Sequence, residues 1–117
     1  IHYLSFDIDD ATEVAFQRFP WDTQRFSTIT IEHDQYRVGT RLRDIIRSKL
    51  LSLGYSLVCA DVIVPGYGAF EDWYIDPDPA HVCVERIEAI RCAFTPFQDI
   101  LDKMNRLSPG GARCASA

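Results

Sequence analysis

The sequence predicts an α/β fold built on a mixed β-sheet, and three observations predict it. Apolar, β-rich runs alternate with segments of helical periodicity from residue 1 to residue 64. Such strand–helix–strand alternation implies parallel neighbours joined by right-handed crossovers. The turn Pro65-Gly66-Tyr67-Gly68 separates two strand-like runs and is too short for a crossover, so it forces an antiparallel hairpin. The sheet is therefore expected to be parallel at first, with one reversed strand.

The elements follow in order. Ile1 to Phe6 is apolar at nearly every position, which suits a strand covered on both faces. Asp7 to Thr12 supplies several candidate helix caps, and Thr12 to Arg18 makes a short helix that Pro20 must end. Phe19 and Trp21 are candidate packing anchors. Ser27 to Glu32 is a second, β-branched strand that ends in Glu32-His33-Asp34. Val38, Leu42, Ile45, Ile46, Leu50 and Leu53 recur at helical spacing, with Arg37, Arg41, Arg43, Arg47 and Lys49 between them. This predicts an amphipathic helix with a basic, solvated outer face, terminated by Gly54 in the left-handed conformation. An acidic substrate or partner surface is the sharper use of that basic face. Tyr55 to Val64 and Phe70 to Ile75 are the hairpin strands, broken by Asp76-Pro77-Asp78-Pro79. Val82 or Cys83 through Phe94 marks a further helix; Pro96 interrupts it, and Phe97 to Leu107 continues as a separate piece. Ser108 to Ala117, rich in Pro, Gly, Ala and Ser, is expected to be a flexible tail.

Composition bounds the function. A length of 117 residues supports one domain, taken as residues 1–107 with the tail at 108–117. Seventeen acids against twelve bases, a formal net charge of −5, argue against nucleic acid as partner, because phosphate binding needs a basic face. No apolar run approaches the roughly 20 residues of a membrane span. The first residue is Ile1 and no signal cleavage pattern is present, so the chain is expected to be a processed or truncated piece. Cys59, Cys83, Cys92 and Cys114 lack metal-site or C-x-x-C spacing and are expected to be reduced thiols, Cys59 in a strand and Cys83 and Cys92 in a helix. The acidic balance and free thiols predict a cytoplasmic location.

Parallel neighbours place their carboxyl ends on one edge of the sheet, where open α/β folds bind ligands. The first strand delivers Asp7, Asp9 and Asp10 there, and the second delivers Glu32, His33 and Asp34. Asp10 and Asp34 also sit where ordinary helix caps sit, and His33 can equally be a hydrogen-bonded structural group. His2 and His81 belong to no constellation. The convergent edge suits three chemistries: a divalent cation held by carboxylates and His33, phosphoryl transfer by an aspartate nucleophile, or group transfer in which Asp7 or His33 positions or deprotonates a substrate nucleophile.

Four motifs, in order and at matching spacing, carry a resemblance. They are Tyr3-Leu4-Ser5-Phe6-Asp7-Ile8-Asp9-Asp10-Ala11 followed by Phe19-Pro20-Trp21, then Ile29-Thr30-Ile31-Glu32-His33-Asp34, then Leu53-Gly54-Tyr55, and Asp72-Trp73-Tyr74-Ile75. Together they resemble FkbM-type methyltransferases over about residues 1–76. The resemblance implies a Rossmann-like methyltransferase sheet, present in part as its fourth to seventh strands with a terminal antiparallel hairpin, plus C-terminal helices. It also implies S-adenosylmethionine as cofactor and methyl transfer to a hydroxyl of a small molecule or sugar. The family pattern Asp-x-Glu-Gly stands here as Asp7-Ile8-Asp9-Asp10, with Thr12 where a further Glu is expected. No glycine-rich loop follows a strand, so the cofactor-binding residues are expected upstream of Ile1, and the chain reads as a C-terminal fragment.

The expected site therefore comprises Asp7, Asp9 and His33 as catalytic residues, with Glu32 and Asp10 on the substrate and no metal. The strand edge at Ile1 to Phe6 offers a surface for a homodimer or another pairing segment. The alternatives are a non-catalytic α/β binding module and, third, a metal-dependent hydrolase.

Overall fold

The computed structural model describes residues 2–78 and 83–107. Expectations placed on Ile1, Pro79, His81, Val82, Cys114 and the tail 108–117 lie outside the described residues.

The elements are β1 (Tyr3–Phe6), a 3-10 turn (Asp9–Ala11), α1 (Thr12–Arg18), β2 (Thr28–Glu32), α2 (Gln35–Val38), α3 (Arg41–Ser52), β3 (Ser56–Val64), β4 (Gly68–Ile75), α4 (Val84–Ile90), β5 (Cys92–Ala93) and α5 (Phe97–Leu107). They form a mixed α/β fold around one five-stranded sheet of order β1-β2-β4-β3-β5. β1 and β2 pair in parallel, β4 runs antiparallel to both β2 and β3, and β5 is parallel to β3. One strand, β4, is thus reversed, as the short turn before it requires.

Two apolar clusters hold the sheet. Phe6, Phe16, Trp21, Phe26, Ile29, Ile31, Ile46, Leu50, Tyr55 and Tyr74 pack β1, β2 and β4 against α1 and α3. Burying an isoleucine such as Ile29 or Ile31, both at 0% exposure, contributes about 1.5–3 kcal/mol each. Phe19 and Trp21 are anchors as expected, with ring centroids 4.5 Å apart, and the Trp21 indole donates to the Phe16 carbonyl at 2.9 Å. The second cluster joins Val58, Cys59, Val62 and Ile75 to Ile100 of α5.

Gly54 ends α3 as expected. Its φ is +89°, its N–H donates to Leu51 and that of Tyr55 to Leu50, which closes the helix end with paired carbonyls.

Four local expectations are corrected. β1 is covered on one face only: Leu4 and Phe6 turn to the core, while Tyr3, at 57% exposure, and Ser5 face out. The long basic helix is two helices, because Gly39 at φ +85° separates α2 from α3, and Val38 is exposed rather than core. Cys92 is in β5, not in a helix, because its backbone pairs in register with Cys59. Cys59 and Cys92 are free thiols, but Cys83 is disulfide-bonded. Among the described residues no helix is long and apolar enough to cross a membrane.

Candidate functional site

The parallel register of β1 and β2 sets Phe6 beside Ile31. The chain therefore leaves both strands at one edge, with Asp7 after β1 and Glu32 closing β2. After Ile8 the backbone turns sharply: Asp9 takes a left-handed φ of +52°, which Asp tolerates better than most residues. The turn brings Asp9 back toward β2. Carboxylate oxygens of Asp7, Asp9 and Glu32 lie within 4.8 Å of one another.

Asp9, Asp10, Glu32, His33, Asp34 and Arg37 line part of a cleft of about 210 Å³ at this edge. The sequence-predicted residues divide within it. Asp10 is held by Arg37 at 2.9 Å, and Arg37 also grips Asp34 at 3.1 Å. Asp34 stands at the head of α2 in the left-handed region and makes no side-chain cap. Glu13 is bonded to Arg41 at 2.7 and 3.0 Å, which lowers its carboxyl. Among the described residues no basic side chain pairs with Asp7, Asp9 or Glu32. Glu32 accordingly titrates high: burial, a hydrogen bond that its protonated form donates to Asp7 and the charges of Asp34, Asp7 and Asp9 push it up to about 8. Its Oε2 is shielded from water and has no hydrogen-bond partner, and neither has the buried hydroxyl of Thr12.

His33 is 1% exposed and both ring nitrogens are engaged. The Gln35 N–H donates to Nδ1 at 3.1 Å, which assigns the proton to Nε2, and Nε2 faces Asp72 Oδ1 at 3.1 Å and Asp61 Oδ1 at 3.4 Å. The imidazole thus orients the start of α2 more readily than it reaches a ligand.

Behind His33 lies an ionic network that sequence reasoning missed. Asp72, in the middle of β4 at 0% exposure, accepts from Arg47 Nε and Nη2 at 2.8 and 2.9 Å, from the Asp61 N–H at 2.8 Å and from the Tyr74 hydroxyl at 3.3 Å. Burial raises the Asp72 carboxyl, but the bonds from His33 and Arg47 outweigh it and hold the group far below the usual range. Asp61 sits at a bulge in β3 with φ +52°, and its carboxylate meets Arg43 at 3.2 Å and Arg47 at 3.1 Å. The arginines of α3 are therefore not a solvated face: Arg43 and Arg47 turn inward to two buried acids. The available signal was an aspartate inside each of two apolar strand runs, which a buried strand tolerates only with a partner.

Two groups have the composition to hold a metal. In His33, Asp61 and Asp72 the oxygens are already taken by arginine. Asp7, Asp9 and Glu32 offer free carboxylate oxygens.

Comparison of the chain with protein-family models, curated proteins and solved structures returned no match.

Proposed function

We propose that the chain is the substrate-side part of an S-adenosylmethionine-dependent O-methyltransferase acting on a hydroxyl of a small molecule or sugar. One observation carries the reading: the trio Asp7, Asp9 and Glu32, without a basic partner among the described residues, at the carboxyl edge of two parallel strands, with oxygens within 4.8 Å. The sheet supports it, since β1, β2, β3 and β4 with β4 alone reversed suit the fourth to seventh strands that the FkbM resemblance implies. β5 is additional to that pattern.

The cofactor, when bound, supplies an electrophilic methyl group on a positively charged sulfur. The trio fits that charge, because carboxylates without basic partners complement a cation. Residues that would hold the rest of the cofactor are not assigned among those described.

In this reading the chain's own residues position and deprotonate the acceptor. Asp9 and Glu32 accept the hydrogen bond of the hydroxyl and fix it in the cleft. Glu32, with a pKa near 8, is the group matched to taking its proton near neutral pH. Asp7 supports Glu32 by hydrogen bond and charge. Asp10, tethered to Arg37, borders the substrate space, and His33 holds the β2–α2 junction in place.

The test is transfer of a labelled methyl group to a panel of hydroxylated acceptors by the product of the complete reading frame. Asp7→Ala is expected to lower kcat by about 10²-fold. Unchanged turnover removes Asp7 from the site. Absence of both turnover and donor binding by calorimetry overturns the methyltransferase reading and favours a non-catalytic binding module. The trio also suits a divalent cation: tight Mg²⁺ or Mn²⁺ binding with phosphatase turnover would make the protein a metal-dependent hydrolase instead.

A further inference from the structure

A second cleft, of about 260 Å³, shares Glu32 and Asp34 with the first and is otherwise lined by Tyr36, Val64, Tyr67 and Phe70. It is aromatic where the first is ionic. Tyr36 comes from α2 and Tyr67 from the β3–β4 turn, and their rings meet edge to face at 6.1 Å and 65°. Tyr36 is 42% and Tyr67 71% exposed.

The pair is built in rather than incidental to a loose turn. Gly68 has φ +132°, and a Cβ there would lie 2.7 Å from the Tyr36 Cβ, so the turn can approach α2 only because residue 68 is glycine. The Tyr67 N–H closes the turn on the Val64 carbonyl at 3.0 Å. Two residues beyond Gly68, the Phe70 carbonyl accepts from the His33 and Asp34 N–H groups at 2.8 and 3.0 Å, which ties the hairpin to the end of β2. Two tyrosines on separate elements are thereby held at the opening of one cleft, with part of their apolar surface in water.

Three features of this cleft call for the same ligand. Aromatic ring faces carry negative potential and attract a cation. Glu32 and Asp34 set two carboxyl groups into its lining, and a carboxylate complements a cation. Outside the lining, but with oxygens within 4.8 Å of Glu32, the carboxylates of Asp7 and Asp9 have no basic partner among the described residues, so an anionic ligand is repelled and a positive one drawn in. We propose that this cleft binds a protonated amine, with Tyr36 and Tyr67 against the cation and the carboxyl group of Glu32 beside it. The volume suits one ammonium-bearing group of a ligand rather than a whole drug-sized molecule. The proposal stands on the cleft itself and requires no methyl transfer.

The test is an NMR titration of the chain, read on aromatic and methyl signals, with n-butylammonium as probe and n-butanol as its neutral counterpart. Butylammonium is expected to give saturable shifts confined to the surroundings of Tyr36, Val64, Tyr67 and Phe70, and butanol much smaller ones. Tyr67→Leu is expected to weaken butylammonium binding about two- to thirtyfold. The exposure of Tyr67 leaves the core untouched, and unchanged signals from Ile29 and Ile46 verify the fold. Glu32→Gln is expected to weaken the amine and leave butanol unaffected. Equal binding of the two probes, undiminished binding by Tyr67→Leu, or no saturable shift at this cleft overturns the proposal. No methyl donor is present, so these outcomes are separate from the fate of the methyltransferase reading.

Discussion

Replacing Arg47 by methionine tests the buried network most directly. The methionine keeps most of the apolar stem and removes the guanidinium. Asp72, at 0% exposure, then loses the bonds at 2.8 and 2.9 Å, and Asp61 loses the one at 3.1 Å. Removing one member of a buried ion pair costs about 3–5 kcal/mol, because the remaining charge stays desolvated. Arg47 retains 22% side-chain exposure and Arg43 still reaches Asp61 at 3.2 Å, so water and a second cation soften the loss and about 3 kcal/mol is expected. That corresponds to a fall in Tm of about 12 °C or more for a domain of this size. The pH dependence fixes the cause. A carboxyl held low in the folded state adds stability that is present above its unfolded value of about 3.9 and is lost as pH falls toward the folded value. Arg47→Met shrinks the depression of Asp72, so the gap between parent and variant should begin to narrow as pH falls below about 4. Calorimetric melting from pH 3 to pH 8 reads both. A Tm within about 3 °C of the parent at neutral pH, taken against the loss worked out above, or a gap that does not narrow in acid, would refute the reasoning. Arg41→Met is the control: its pair with Glu13 stands in water and its loss should leave Tm unchanged.

Two other predictions concern stability. Gly68→Ala places a Cβ 2.7 Å from that of Tyr36 at φ +132°, and should cost about 1–3 kcal/mol by urea unfolding, with the turn the first region to lose amide protection. Glu32 has the opposite sign from Asp72: its folded value, about 8, lies above the unfolded 4.3, so its contribution is full below about pH 4.3 and is lost as pH rises through 8. Glu32→Gln should therefore be more stable than the parent at pH 8 by a margin that disappears near pH 4, read from melting curves across that range.

The sequence carried most of the topology because the relevant signals are local. The Pro65–Gly68 turn forced one reversed strand, Gly54 marked the end of α3, and the acids after β1 and β2 had to share an edge once those strands were parallel. What it did not carry depends on partners distant in the chain. Arg47 and Asp72 are 25 residues apart, and nothing in the spacing of α3 distinguishes Arg47, which turns inward, from Arg41, which does not. Arg43 and Arg47 lie four residues apart on the face that meets β3, while Gly39 shifts α2 off the register a single helix would have imposed. Cys92 carried helical periodicity from α4, yet its backbone pairs with β3, a case of tertiary pairing overriding local pattern.

The same pairing of charges explains why the acidic edge stands apart. Arg37, Arg41, Arg43 and Arg47 are engaged by Asp10, Asp34, Glu13, Asp61 and Asp72. Asp7, Asp9 and Glu32 therefore disfavour one another's ionised forms without relief from any of these arginines. Such an arrangement lowers stability, and ligand recognition is the general reason for which proteins keep one. Asp7→Asn tests the point. It keeps a hydrogen-bonding side chain next to Glu32 and removes one of the charges that, after burial and the hydrogen bond to Asp7, hold that carboxyl near 8. The Glu32 titration midpoint, followed by carboxyl ¹³C NMR, should fall, and the loss of stability between about pH 4.3 and 8 should shrink with it. If both stay as in the parent, Asp7 and Glu32 do not share one electrostatic site, and the edge is a set of separately solvated acids.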